Sequence, residues 1–185
     1  MLFNDHSPLE GLHAFLGASK HHWVNYTDDK LVAVYTRAQA AQKGTELHLL
    51  AHDLVRLGVK LPKSRSTLNQ YVNDAIGFKM QTEVVLYYSD NCFGTVDAIA
   101  FKNLFLRIHD YKSGVTIASM TQLFVYAAIF CLEYGFAPED LAGIELRLYQ
   151  LDDIQICAPD PEDVRKIMDR IVQCDKIVEK LRIGG

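Results

Sequence analysis

The sequence predicts an α/β (α+β) fold in which helices flank a central mixed β-sheet, and three stretches carry that expectation. Thr82 to Lys112 reads as three consecutive antiparallel strands. Ile117 to Tyr134 reads as a helix that is apolar almost all round and so must be largely buried. Gly143 to Leu151 then alternates as a further strand, ahead of a closing amphipathic helix. A chain of 185 residues suits one domain with a substantial core.

Taken in order, residues 1–30 carry the weakest pattern. LEGLHAFLG reads as a short helix and SKHHWVNYTDD as an irregular segment anchored by Trp23. His21 and His22 are adjacent, point apart on regular structure, and read as surface residues. From about Leu31 to Leu57 an apolar stripe (Ala38, Ala40, Ala41, Leu47, Leu50, Ala51, Leu54, Val55) predicts helix. Gly44 interrupts it, at a cost of about 1 kcal/mol relative to Ala, marking either a fresh start or a close approach to the backbone. His48 and His52 lie four apart on one helical face. The Glu of H-E-x-x-H is absent, since Leu49 holds its place, so a zinc-hydrolase reading is the weaker one and His48 as a single ligand of a shared site the stronger. Gly58 to Ser66 is a connector holding Lys60, Lys63 and Arg65, either a solvated loop or a local phosphate contact. Ser66 or Thr67 caps a helix that reaches about Ile76, and Thr82 to Tyr88 is a strand followed by a Ser89-Asp90-Asn91 turn. Beyond the buried helix, Gly143 to Leu151 and a short IQIC stretch read as strands. Asp160 and Pro161 open the last helix, whose apolar face runs from Val164 to Leu181.

The stretch from Cys92 to Ser113 holds the chemistry. Two runs rich in β-branched and aromatic residues, Gly94 to Phe101 and Leu104 to Lys112, are joined by Lys102 and Asn103, which predicts a hairpin with a two-residue turn. Pairing Phe101 with Leu104 sets Asp97 opposite Ile108 and makes Asp97 and Asp110 diagonal neighbours, roughly 7–8 Å apart at the backbone. Asp97, Asp110 and Lys112 then project from one otherwise apolar face. Two carboxylates on such a face are costly unless a cation compensates them. The alternative is an edge hairpin with solvated charges, and one extra loop residue would move Asp97 to the other face.

Composition narrows the classes. A net charge of −4 argues against a generally basic nucleic-acid coat but leaves room for a local phosphate patch. The start lacks a basic-then-apolar leader, and the longest apolar run, Leu123 to Leu132, is too short to span a bilayer, so the expected location is cytoplasmic with no membrane partner. Cys92, Cys131, Cys157 and Cys174 are scattered without a C-x-x-C pair, which supports neither a zinc ribbon nor an iron–sulfur cluster.

Four separated stretches fall in a familiar order: GTELH, GTVDAI, HDYKSG and QLFVY. Together they resemble the PD-(D/E)xK nuclease superfamily, and within it the RecB-like exonuclease branch often encoded by phages. The resemblance implies a restriction-endonuclease-like core in a single domain over 1–185, with the motif core at about 44–150, an extension at 1–30 and a C-terminal helix at 160–183. It implies catalytic roles for Lys112, Asp110 and Asp97, and a metal held by His48, Asp97, Asp110 and the Tyr111 carbonyl. Gln122 and Tyr126 would position the site by hydrogen bonds. The implied metal is Mg²⁺ or Mn²⁺, the partner single- or double-stranded DNA, and the activity that of an exonuclease of phage recombination or replication in the host cytoplasm. Self-association or a phage recombination partner would keep so small a domain on DNA. A structure-specific or nicking endonuclease and a non-catalytic DNA-binding or assembly module are the rival expectations. No iron–sulfur cluster is implied, because the cysteine set that one subgroup needs is missing.

Overall fold

The computed structural model describes residues 5–183. The first four residues, part of the start read above for a leader, lie outside them. The chain falls into two compact units, residues 1–43 and 44–185. In the first, 3-10 turns at Ser7–Leu9 and Ala18–Asn25 flank LEGLHAFLG, whose residues 10–17 form turns and coil instead of the expected short helix. Trp23 anchors that segment by donating its indole N–H to the Gly17 carbonyl at 3.1 Å. Helix α1, Asp28–Leu57, starts where Thr27 Oγ1 accepts the Lys30 amide at 3.3 Å, with Asp28 and Asp29 favourably placed in the first turn. Gly44 lies inside this helix and does not break it.

The second unit is the α+β architecture expected, a five-stranded mixed sheet flanked by helices and consistent with a restriction-endonuclease-like core. Helix α2 is Thr67–Gly77, and the strands follow as β1 (Gln81–Ser89), β2 (Cys92–Lys102) and β3 (Phe105–Lys112). Helix α3 (Thr121–Tyr134) then leads to β4 (Gly143–Gln150), β5 (Asp153–Cys157) and helix α4 (Pro161–Ile183). Spatial order equals chain order. All neighbours are antiparallel except β3 and β4, which run parallel around the α3 crossover.

Two cores divide the work. On one face, Leu86, Val96, Ile99, Leu106, Ile108, Ile144 and Leu146 pack against α3, whose outer side is covered by Val164, Ile167 and Ile171 of α4. This explains the apolar circumference of α3. Each fully buried large side chain there contributes about 1.5–3 kcal/mol, so this layer dominates the unit's stability. On the other face, Ala51 and Val55 of α1 and Tyr71, Val72 and Ala75 of α2 cover Ala98, Tyr111 and Tyr149. No described helix is long and apolar enough to cross a membrane.

Three local expectations are corrected. Helix α3 begins at Thr121 rather than Ile117, because residues 113–120 are held as a loop by Gln150. The Gln150 amide donates to the Gly114 and Thr116 carbonyls at 2.7 Å each and accepts the Ala118 amide at 2.8 Å. The hairpin turns on Asn103 and Leu104, not on Lys102 and Asn103. Both turn residues have positive φ, 53° and 59°, and Lys102 pairs with Phe105. The shift is two residues, so alternation survives. The last pair of this ladder is Ala98 with His109, and one further step brings Asp97 level with Asp110 instead of diagonal to it.

The turn yields a prediction. Leu104 occupies the position where a two-residue hairpin loop of this twist favours glycine, and a left-handed conformation costs a side-chain-bearing residue about 1–2 kcal/mol. Leu104→Gly is expected to stabilise the protein by about 1 kcal/mol after the added freedom of the unfolded chain is subtracted. Leu104→Val is expected to destabilise it. Urea unfolding midpoints of the two variants check both directions.

Candidate metal centre

The site forms where the alternation of two paired strands breaks. On β1, Thr82 meets His52 of α1 through a 2.6 Å Oγ1–Nδ1 hydrogen bond, whereas Val84 and Leu86 pack toward α3. On β2, Ala98 joins the α1/α2 core, whereas Val96 joins the α3 core. The residues between, Glu83 and Asp97, are opposed in the ladder, since Thr82 pairs with Ala98 and Val84 with Val96. Glu83 takes φ 55°, a left-handed conformation rarely found inside a strand. Both carboxylates are thereby taken out of the ordinary pleat.

There they meet α1. His48, Glu83 and Asp97 each bring a ligand atom within 4.8 Å of the other two, so this His/Glu/Asp group could hold a metal ion. His48 Nδ1 lies 3.4 Å from Asp97 Oδ2, and that same oxygen accepts the Tyr111 backbone amide at 2.8 Å. The Asp97 carboxylate thus takes over as acceptor just where the β2–β3 ladder ends. Its hydrogen bond to His48 raises the imidazole pKa, outweighing burial, which lowers it. Burial, and then the Asp97 charge, raise that of Glu83.

Asp110 and Lys112 adjoin the group from β3. Asp110 is 1% exposed, and Lys112 Nζ donates to its Oδ1 at 3.0 Å and lies 2.9 Å from Oδ2. Oδ2 is buried without a well-aligned hydrogen bond, which leaves it open to a further electropositive partner. Burial and the neighbouring Asp97 push the Asp110 carboxyl up to about 6 against the pull of Lys112. A carboxylate so poorly compensated, beside a His/Glu/Asp group, fits a hard divalent cation by its chemistry.

A hydrogen-bonded prop steadies β2 behind the site. Gln122 donates to the Tyr126 hydroxyl at 3.1 Å, and that hydroxyl donates to the Thr95 carbonyl at 2.6 Å. Gly94 makes room for it, since a Cβ there would stand 3.0 Å from the Tyr126 ring. Gly44 is a second close approach, because its Cβ would meet Ser113 Oγ at 2.9 Å, next to Lys112.

The structure therefore brings together His48, Asp97, Asp110 and Lys112, props them with Gln122 and Tyr126, and adds Glu83, which none of the four motif stretches contains. Tyr111 meets the site through its amide. The signal for Glu83 was only a carboxylate within a strand; its positive φ is invisible in the residue pattern. Gln150, which fixes the loop after Lys112, carried no signal at all. His52 stands outside the group, occupied by Thr82, so the H-x-x-x-H pair does not converge. His109 lies outside the group, on the α1/α2 face beside Tyr149 and Phe78, and burial pushes it down to about 3, leaving it neutral. Lys60 and Lys63 line a pocket of ≈ 290 Å³ with Gln70, Asn73 and Asp74, on a connector that α2 anchors through Asn73 and Gln70. Arg65 sits on the same connector, its carbonyl accepting from the Gln70 amide at 2.8 Å. Compared with known proteins, the chain matches no family model and no curated protein sequence.

The raised Asp110 carboxyl fixes the sign of a pH effect. Between its ordinary value near 4 and about 6, the native state holds a proton that the unfolded chain has lost, so stability falls as pH rises through that window. In metal-free buffer, Asp110→Asn is expected to be more stable than the parent at pH 7.5 and to lose that advantage near pH 4. Denaturant midpoints at the two pH values read it directly. A variant less stable at pH 7.5 would show that the Lys112 pair outweighs burial.

Proposed function

We propose that this protein is a divalent-metal-dependent DNA nuclease that hydrolyses phosphodiester bonds, and that it acts as an exonuclease of the phage recombination or replication type. One observation carries the reading: residues from four elements, His48 on α1, Glu83 on β1, Asp97 on β2 and the Asp110–Lys112 pair on β3, meet at one distorted point of the sheet. The motif resemblance selects the same residues, Glu83 apart. One imidazole with carboxylate oxygens suits Mg²⁺ or Mn²⁺ better than structural zinc. When bound, such an ion supplies Lewis-acid polarisation of a phosphoryl oxygen.

The chain's own groups do the rest. His48, Glu83 and Asp97 would hold the cation, with Asp110 alongside. His48 is oriented through Nδ1 by Asp97, and Asp97 is in turn fixed by the Tyr111 amide. Lys112 sets its Nζ beside Asp110, placed to stabilise the charge that builds on the phosphate as it is attacked. Tyr126 and Gln122 act as positioning residues by fixing the Thr95 carbonyl, two residues from Asp97. The exonuclease assignment rests on the resemblance of QLFVY and its neighbours to the RecB-like branch.

The test uses end-labelled linear single- and double-stranded DNA with a covalently closed circle alongside, in Mg²⁺, Mn²⁺ or EDTA. Metal-dependent loss of the linear substrates alone is expected, falling by roughly 10²-fold or more in Lys112→Ala, the size of effect that removal of one positioned charge-stabilising donor produces. Cutting of the circle would replace the exonuclease with an endonuclease. DNA binding without cleavage in any metal would leave a binding module and overturn the proposal.

A further inference from the structure

The strand distortion that builds the metal centre also decides which side chains lie beside it. Beyond Glu83, Val84, Leu86 and Tyr88 pack toward α3; beyond Asp97, Val96 and Cys92 do the same, and Gly94 meets Tyr126. Val85, Tyr87, Phe93 and Thr95 therefore occupy the opposite face, the one on which α1 lies. They form two rungs, Val85 with Thr95 and Tyr87 with Phe93. At about 3.4 Å per residue, these rungs stand roughly 7 and 14 Å along the strands from the Glu83/Asp97 pair.

This row is exposed and apolar where a surface strand normally carries polar groups: Phe93 is 62% exposed, Val85 55% and Tyr87 46%. The two rings lie nearly parallel, 26° apart in plane with centroids at 6.4 Å. Tyr87 is held at both ends. Its hydroxyl donates to Asp90 at 2.8 Å, and its backbone amide donates to Glu133 of α3 at 2.9 Å, which closes this point of the edge strand to pairing with another chain. What remains open is the aromatic face.

We infer that Tyr87 and Phe93 form a stacking platform for the unpaired bases of a single DNA strand leading to the metal centre. The inference rests on the nuclease reading and deepens it by naming the substrate form. Aromatic faces accept any base and serve single strands, whereas a duplex keeps its base faces covered. The charges near the platform, Asp90 and Glu133, are acidic, so its contribution is stacking and not phosphate contact. It follows that losing the platform lowers affinity without changing the number of counterions released.

The experiment is fluorescence anisotropy of a labelled oligo(dT) and of a blunt duplex of equal length. It is run in EDTA so that binding is read apart from cleavage, with the full-length protein, Tyr87→Ala/Phe93→Ala and Tyr87→Phe. Both positions are exposed, and circular dichroism establishes that the variants fold. The double variant is expected to weaken oligo(dT) binding by tens- to hundreds-fold with an unchanged salt slope, while Tyr87→Phe and the duplex shift by less than about threefold. An abasic oligonucleotide is expected to bind parent and double variant alike. Equal oligo(dT) affinity in parent and double variant, with metal-dependent cleavage intact, would overturn the platform and leave the nuclease standing. A change in salt slope would also overturn it, by making the contact one to phosphate. Absence of both binding and cleavage in the parent protein would overturn the nuclease reading and the platform with it.

Discussion

Charge crowding in a partly dry corner of the sheet is the constraint on which this structure turns. Glu83 and Asp97 bring ligand atoms within 4.8 Å of each other, and Asp110 lies buried beside them. At an effective dielectric of about 20, two like charges at that distance repel by roughly 3 kcal/mol, comparable to burying a large side chain. Lys112 and His48 offset part of this. The Tyr111 amide on Asp97 and His52 near Glu83 offset a little more, and the raised Asp110 and Glu83 carboxyls are the visible remainder. An arrangement that costs stability and persists is characteristic of a functional site.

The scaffold tolerates that cost because it over-determines the position of each strand. The α3 face is closed by apolar packing on both sides of the helix, and the Gln122–Tyr126–Thr95 chain ties the helix to β2 next to the break in alternation. Gln150 does the same for the loop beyond Lys112. Rigid elements so braced can hold a left-handed Glu83 without fraying the sheet. The same break turns Tyr87 and Phe93 onto the α1 face, so the candidate metal centre and the aromatic row have one structural cause.

Most of the fold was legible because its signals are periodic or chemical. The apolar circumference of α3, the alternation of β4 and the Asp160-Pro161 start of α4 are properties of the residues in the stretch itself. His48, Asp97, Asp110, Lys112, Gln122 and Tyr126 stood out because their residue types, spacing and order resemble a known pattern. What escaped depends on backbone geometry or distant partners. Hairpin register turned on whether Lys102 or Leu104 joined Asn103 in the turn, and a leucine at positive φ is a choice that local preference argues against. Glu83 entered the site through a strand distortion that periodicity cannot encode. Gln150 acts on a loop more than thirty residues away, which no local window contains.

Whether this corner takes a cation through these side chains can be read from Mn²⁺ located by anomalous scattering in crystals of the wild-type protein. The account predicts an anomalous peak in contact with His48, Glu83 and Asp97 and bordering Asp110, absent from crystals of Asp97→Ala grown and soaked in the same way. A well-occupied peak elsewhere, or none at this corner at millimolar Mn²⁺, would contradict it.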